Sequence, residues 1–176
     1  MFGLFTLGRM LVNIEYLDKD FFKNNHRKKY KLWKSTELIL PTWHDIIDNI
    51  NVMVNEYEHL VIPMDDVGLK LHGNYSESCK KLIDFSQYLE KKFDKECSLH
   101  HYISFSTKSK SLGLHSDPCD VFFLQGIGKT EFMVAGDICV LEPGDLLYIP
   151  PHTEHNTKPL TPRVGLSYGI EEFINA

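Results

Sequence analysis

The chain is poor in the features that mark special classes of protein. Its four cysteines, at positions 79, 97, 119 and 139, form no CxxC pair and lie far apart, which excludes a zinc knuckle and a dense disulfide framework and predicts a reducing compartment. There is no excess of positive charge either. The formal net charge of -5 provides no global basic field, so we expect no nucleic acid as a general partner.

A long hydrophobic run is also lacking. The apolar opening MFGLFTLGRMLVNI, residues 1–14, is too short to span a bilayer and contains Arg9. It has neither a basic n-region nor a small-residue cleavage site. We interpret it as an N-terminal strand or packing segment of a cytoplasmic protein without membrane association. At 176 residues the chain suits one domain, 1–176, better than two.

The first half, residues 1–96, contains three predicted helices. EYLDKDFFKNN (15–25) resembles a short helix, and PTWHDIIDNINVMVNEY (41–57) has proline and acids at its start and apolar residues near helical spacing. In 76–96, apolar side chains recur every three or four residues, which predicts an amphipathic helix whose apolar stripe belongs to the core.

The second half, 97–170, changes to short strand patterns separated by turns. Predicted strands cover 99–106, 121–125, 131–134, 138–141, 145–150 and 163–170, with tight turns at 135–137 and 142–145. Successive short strands indicate a sandwich or barrel. The chain is therefore predicted to be mainly β with flanking helices.

Two stretches carry candidate chemistry: GLHSDPCDVFFLQGIG (113–128) and GDLLYIPPHTEH (144–155). His115 and Asp117 are two apart, so on a strand both side chains would project from one face. The second stretch resembles the second cupin motif, which places His155 where that motif has a ligand. Two imidazoles and one carboxylate form the facial triad of non-haem Fe(II) oxygenases. The alternative is a surface histidine, a turn-forming aspartate and a loop histidine, but their order and spacing favour the metal site.

GLHSDPCDVFFLQGIGKTEF and LEPGDLLYIPPHTEHNTKPLTPRVGLSYGI together resemble the Jumonji-C/cupin-like family of Fe(II)- and 2-oxoglutarate-dependent oxygenases, nearest the bacterial ribosomal-protein hydroxylase branch. DFFKNNHRKKYKLWKS followed by PTWHDIIDNI is similar to the same branch. The resemblance implies a double-stranded β-helix (cupin/jelly-roll) core, iron held by His115, Asp117 and His155, and 2-oxoglutarate chelating the metal. It also implies that only the catalytic core of that branch is present.

The far carboxylate of 2-oxoglutarate would need a basic partner, and here the sequence departs from the family. The family's usual Lys or Arg position is occupied by Thr130, and strand parity turns Lys129 to the opposite face. A bend after Gly128 could aim Lys129 inward, or Arg163 could supply the charge. We favour Arg163, since a guanidinium matches a carboxylate bidentately, with Thr130 adding a hydroxyl hydrogen bond.

Several other histidines and basic residues have simpler interpretations. We expect His152 to face the substrate or support the site rather than bind metal, because a fourth ligand would fill a position that oxygen chemistry needs. HRKKYKLWK (26–34) could meet RNA or an acidic partner, but a strand edge protected by lysines is favoured. His100 or His101 could face the site, although a structural histidine with satisfied hydrogen bonds is favoured.

The sequence thus predicts a dioxygenase that uses Fe(II), 2-oxoglutarate and O2 to hydroxylate a substrate, a protein side chain being one candidate. A metal-dependent cupin enzyme without 2-oxoglutarate, or a non-catalytic cupin-like binding module, remains an alternative. Substrate recognition is expected from the first half of the chain or from loops such as STKSKSLG, residues 106–113.

Overall fold

The computed structural model describes residues 17–65 and 67–170. The predicted N-terminal strand or packing segment, 1–14, lies outside the described residues. The helices are α1 (Lys19–Asn24), α2 (Trp43–Glu56) and α3 (Ile83–Phe93), with short 3-10 segments at Glu58–Leu60 and Glu77–Leu82. The strands are β1 (Lys31–Trp33), β2 (Val61–Met64), β3 (Gly68–His72), β4 (Cys97–Ser104), β5 (Asp120–Ile127), β6 (Thr130–Val134), β7 (Asp137–Leu141), β8 (Leu146–Ile149), β9 (His155–Pro159) and β10 (Arg163–Ile170).

All three predicted helices are present, and local chemistry explains where they begin. Asp18 caps α1 by accepting a hydrogen bond from the Phe21 amide. α2 begins with a capping box in which Thr42 and Asp45 each accept a hydrogen bond from the other's backbone N–H. The predicted helix at 76–96 is divided, because its first part is a 3-10 segment and only Ile83–Phe93 is α-helical.

The strands form two packed sheets, one of seven strands in the order β1-β8-β5-β10-β4-β3-β2 and one of three in the order β7-β6-β9. One apolar cluster fills the space between the large sheet and the helices. A second joins the two sheets and consists of Val121, Phe123, Phe132, Val134, Leu141, Leu147 and Ile149. This is the double-stranded β-helix architecture that the sequence predicted, with helices packed on the outer face of the large sheet.

The prediction of strands was incomplete in the first half and around the histidines. β2 and β3 form a hairpin that extends the large sheet beyond β4, and β9 pairs with β6; none of these three strands was predicted. The prediction that His115 and Asp117 share a strand was wrong. His115 forms only an isolated bridge with His155, and the chain is irregular from there to β5.

The basic segment 26–34 contains β1, which lies at the edge of the large sheet as the favoured interpretation predicted. Two of its cations, although about half exposed, pair with buried carboxylates. Arg27 Nε donates to the buried Asp120 carboxylate at 3.2 Å, and Lys34 pairs with the buried Asp145. The segment therefore neutralises two carboxylates that the sandwich buries, which explains part of its charge without an external partner.

His101 is a buried polar residue whose position in the core is chemically unfavourable. Its ring lies on the helix-facing side of β4, opposite Leu71 and Leu166 in the neighbouring strands, and is fully buried. Neither ring nitrogen has a hydrogen-bond partner within the described part of the chain. The expectation of a structural histidine with satisfied hydrogen bonds is therefore wrong for His101. Burial lowers its pKa to about 3, so the ring is neutral in the folded protein.

This histidine predicts a loss of stability in acid. The folded pKa of about 3 lies below the ordinary value of 6.5, so the unfolded chain binds the proton more readily. The contribution of neutral His101 to the free energy of unfolding is fully present above about pH 6.5. It should fall by roughly 3 to 5 kcal/mol as the pH decreases towards 3. His101→Leu should raise stability at neutral pH by about 1–3 kcal/mol and flatten this dependence.

Urea unfolding between pH 4 and 7 would measure the effect of His101, with the exposed His44→Leu as the matched control. Other buried histidines also bind protons on unfolding, so the flattening should be partial. An acid dependence in His101→Leu as steep as that of the wild type would contradict the assignment.

None of the helices within 17–65 and 67–170 has the length and apolar character of a membrane span.

Candidate metal centre and its pocket

His115, Asp117 and His155 come together at one end of the space between the sheets. One ligand atom from each residue lies within 4.8 Å of the others. His155 Nε2 is 3.4 Å from Asp117 Oδ2, and the two imidazole centroids are 4.3 Å apart. The backbones of His115 and His155 are joined by two hydrogen bonds of 3.1 and 2.8 Å, which align the irregular segment with the start of β9.

Both imidazoles are oriented by the loops that carry them. His115 Nδ1 is 2.8 Å from the carbonyl oxygen of Gly113, and His155 Nδ1 is 2.9 Å from that of Thr153. A carbonyl accepts, so each Nδ1 carries the proton and each Nε2 presents a lone pair. Burial is the main cause that lowers the pKa of His155, and it favours the neutral ring that metal binding requires. Two neutral imidazoles and a carboxylate fit a divalent transition metal such as Fe(II).

The three residues open onto a pocket between the two sheets. Its apolar wall is built from side chains on both sheets, namely Val121, Phe123, Phe132 and Ile149. Phe123 crosses directly over Gly165, where a Cβ would lie 2.1 Å from the ring, so only glycine permits this packing. The Phe132 ring lies parallel to that of His155, with centroids 6.0 Å apart. The pocket therefore combines a polar end with walls that exclude water.

Arg163 is the buried cation of this pocket. It begins β10 opposite Ser104 and is only 3% exposed. Its guanidinium donates three hydrogen bonds of 3.3 Å, to the hydroxyl oxygens of Ser104, Thr130 and Thr157. No carboxylate among the residues that the structure describes lies within 4 Å of it. Burial lowers the pKa of Arg163 to about 10, so the group stays charged at neutral pH.

An arginine held only by neutral hydroxyls is costly to bury without an anion. Arg163 and the three candidate ligands line the same pocket. The three hydroxyl contacts use three of the five N–H groups of the guanidinium, which leaves donors for an anionic ligand. Thr130, which also donates to Gln125 at 2.8 Å, helps to orient the guanidinium.

Lys129 and His152 lie elsewhere. Lys129 is about half exposed and pairs with Glu142 on the surface, which agrees with the strand-parity argument and leaves it outside the pocket. His152 occupies a left-handed turn with φ of 59°. Its side chain is exposed and does not join the cluster of three, although its N–H donates to the Asp117 carbonyl at 2.7 Å.

Comparisons with known proteins agree with this fold. Residues 134–175 match the JmjC domain. An Escherichia coli protein, ribosomal protein uL16 3-hydroxylase, is 31% identical over an alignment that covers 39% of this chain and 24% of that protein. The resemblance to the JmjC/cupin-like family is confirmed.

Solved structures extend the likeness to most of the chain. The crystal structure of the Escherichia coli ribosomal oxygenase YcfD superposes with a TM-score of 0.70 at 20% identity, covering 89% of this chain and 52% of that one. YcfD in complex with cobalt and 2-oxoglutarate gives a TM-score of 0.66 at 19% identity, covering 93% and 53%. This chain therefore spans about half the length of those solved relatives and 24% of the curated one.

Sequence reasoning did not identify several residues that build the pocket. Ser104 and Thr157, which orient Arg163, were not singled out, and neither was Tyr102, which lines the pocket from β4. Ser104 and Tyr102 stand two apart on a predicted strand, so alternation puts both side chains on one face of it. That this face is the one that lines the pocket follows only from the pairing of β4 with β10. Pairing between distant strands is the information that the sequence does not contain.

Proposed function

We propose that the chain is an Fe(II)- and 2-oxoglutarate-dependent oxygenase that hydroxylates its substrate. Bound Fe(II), with 2-oxoglutarate and O2, would supply the oxidising chemistry, which converts 2-oxoglutarate into succinate and CO2. The observation that supports this proposal most strongly is the buried Arg163 guanidinium in the same pocket as the His115, Asp117 and His155 cluster. A plain metal-binding cupin has no need of a buried cation facing its metal.

The proposed roles follow from the positions of the side chains. His115 and His155 would bind the metal through Nε2, and Asp117 through a carboxylate oxygen, leaving the remaining coordination positions open for small ligands. Gly113 and Thr153 would hold the two rings in the binding tautomer through their carbonyl oxygens. Three protein ligands on one side leave the other side accessible from the pocket.

Arg163 would pair with the far carboxylate of 2-oxoglutarate, and the hydroxyls of Thr130, Ser104 and Thr157 would keep the guanidinium in place. The apolar walls would exclude water from the reacting groups, which strengthens the charge pair and limits side reactions. The protein would thus position the metal and 2-oxoglutarate and exclude water, while the metal and 2-oxoglutarate supply the chemistry.

The similar proteins support this proposal by their names. One acts on the ribosomal protein uL16, and one was solved with cobalt and 2-oxoglutarate. Cobalt, like iron, is a first-row transition metal that imidazole and carboxylate ligands bind. These names favour a protein side chain as the substrate class. The alignments leave about half of each solved relative without a counterpart in this chain, so the substrate of this chain has to be argued from its own surface.

Turnover of 2-oxoglutarate tests the proposal. Protein supplied with Fe(II), 2-oxoglutarate and O2 should release succinate and CO2 in equal amounts, at a slow rate even without substrate. Asp117→Ala should release neither, because it removes a proposed metal ligand. Metal binding without any 2-oxoglutarate consumption would instead favour the metal-dependent cupin enzyme. If the protein catalysed no reaction at all, the non-catalytic binding module would be favoured.

A further inference from the structure

A second, more open depression adjoins the metal pocket. We call it the lateral groove, and its floor is one face of β3, β4 and β10. Its lining residues are Lys70, Ser98, His100, Tyr102, Leu112, Asp117, Pro118, Cys119, Val121, His152, Ser167 and Gly169. β3 belongs to the hairpin that extends the large sheet beyond β4, so residues of the first half of the chain build part of this groove.

The lateral groove and the metal pocket share a wall. Tyr102, Leu112, Asp117, Val121 and Ser167 line both of them. Asp117 is about 38% exposed, which makes it accessible from the groove side. A molecule in the groove would therefore present one of its atoms at the candidate metal ligands while the rest of it contacts β3 and β4.

Lys70 is the one lysine or arginine in the described lining of the lateral groove. Its ammonium lies 5.5 Å from the centre of the Tyr102 ring, a cation–π distance. No carboxylate in the described ranges is within 4 Å of it. Burial lowers the pKa of Lys70, and the more distant charge of Asp117 raises it. Because a metal ion would neutralise Asp117, the metal-loaded protein would leave this half-buried ammonium without a countercharge.

The histidines around Lys70, His72 and His100, add no positive charge at neutral pH. His72 and His100 face each other across β3 and β4 with ring centroids 4.3 Å apart. Burial, with Lys70 as a further cause, lowers the pKa of His100 to about 4 and also lowers that of His72. His72 Nε2 is buried and, within 17–65 and 67–170, has no hydrogen-bond partner. At neutral pH these rings are uncharged and can donate or accept.

We infer that the lateral groove binds a carboxylate-bearing group of the substrate, with Lys70 as its ion-pair partner and Tyr102 beneath it. The groove would reject a cationic side chain, since Asp117 is the only carboxylate in its described lining and is committed to the metal. The inference depends on the proposed function only for the reaction that follows binding. It identifies the substrate class as an acidic side chain or a free carboxylic acid.

Binding of small probes tests the inference without turnover. The protein is loaded with Zn(II) and saturating 2-oxoglutarate, so that Arg163 is occupied, and titrated by NMR with four probes: the N-acetyl N-methylamides of glutamate, glutamine and lysine, and propionate. The glutamate probe should bind at least about tenfold more tightly than its glutamine isostere, the scale of one hydrogen bond to a charged group. The lysine probe should bind most weakly.

Variants at position 70 separate recognition from packing. Lys70→Met should abolish the preference for glutamate over glutamine, and Lys70→Arg should retain it. Lys80→Met, which removes an exposed lysine that pairs with Glu77 outside both pockets, should leave it unchanged. Lys70-dependent binding of propionate would identify a free acid as sufficient, and binding of the glutamate probe alone would identify a peptide; both outcomes support the inference.

Equal binding of the lysine and glutamate probes would overturn the inference, as would an unchanged preference in Lys70→Met. These failures are distinct from failure of the proposed function. Lys70-dependent recognition without 2-oxoglutarate turnover would support carboxylate binding in the lateral groove and contradict the proposed oxygenase activity. Turnover of 2-oxoglutarate together with a preference for the lysine probe would support the proposed oxygenase activity and contradict carboxylate binding in the lateral groove.

Discussion

Replacing Asp117 or His155 with alanine should abolish stoichiometric metal binding. Each residue contributes one of three candidate ligand atoms within 4.8 Å of one another. Loss of a partner outside the coordination sphere already costs about 10–100-fold in affinity, so loss of a ligand should cost more than about 100-fold. Equilibrium dialysis against Co(II), with the metal quantified in the protein fraction, measures the effect.

His152→Ala is the matched control for the metal ligands. His152 lies three residues before His155 but is exposed and outside the cluster, so this variant should bind one metal ion as tightly as the wild type. The variants should fold, because the backbone bridge between His115 and His155 does not depend on the side chains. Circular dichroism of each variant verifies this. Wild-type affinity in Asp117→Ala would show that the cluster is not the metal site, and metal loss in His152→Ala would make His152 a ligand.

Arg163→Ala should weaken 2-oxoglutarate binding by about 2 to 5 kcal/mol while metal affinity barely changes. The guanidinium is 3% exposed and contacts only hydroxyl groups, so its removal would leave the far carboxylate of 2-oxoglutarate buried without a cation. Titration of 2-oxoglutarate into Zn(II)-loaded protein by calorimetry measures this loss separately from catalysis.

Lys129→Ala is the control for Arg163. Its ammonium pairs with Glu142 at the surface, so 2-oxoglutarate should bind this variant as it binds the wild type. The reverse pattern, with a large loss in Lys129→Ala and none in Arg163→Ala, would mean that the strand bends on ligand binding and that Lys129 is the anchor. If neither substitution weakened 2-oxoglutarate binding, the proposal that this pocket binds 2-oxoglutarate would be contradicted.

The parts of the fold that sequence could predict are those that local pattern determines. α2 has its capping box, and the strands of the second half alternate in hydrophobicity or are continuously apolar, as buried strands are. β2 and β9 were missed because each contains a proline; β2 is also only four residues long, and β9 has one β-branched residue, Thr157. These strands are held in place by pairing with β3 and β6, which is not a local property.

The candidate site was predicted through motif order rather than through periodicity. His115 and Asp117 were expected on one strand, yet the segment is irregular, and the two residues meet His155 because of a backbone bridge between distant positions. Strand parity did place Lys129 outside the pocket, and Arg163, which was favoured because a guanidinium matches a carboxylate, lies inside it. Lys70 could not be recognised in advance, because β3 was not predicted and its place beside β4 follows only from tertiary pairing.

Buried charges are the other feature that the sequence concealed. Asp145 was predicted in a turn and Asp120 was not singled out, but both are about 1% exposed and pair with the basic segment 26–34. Tyr148 adds a hydrogen bond of 2.6 Å to Asp120 from inside the core. Composition shows how many charges a chain has, whereas only the fold shows which of them are buried together.

Anaerobic titration of the wild-type protein tests most directly the claim that one pocket holds both the metal and 2-oxoglutarate. With 2-oxoglutarate present, Fe(II) should bind at one ion per chain and produce a visible metal-to-ligand charge-transfer band whose intensity saturates at the same stoichiometry. The band should be absent in Asp117→Ala and should require a much higher 2-oxoglutarate concentration in Arg163→Ala. Stoichiometric Fe(II) binding with no band at any concentration of 2-oxoglutarate would contradict the account.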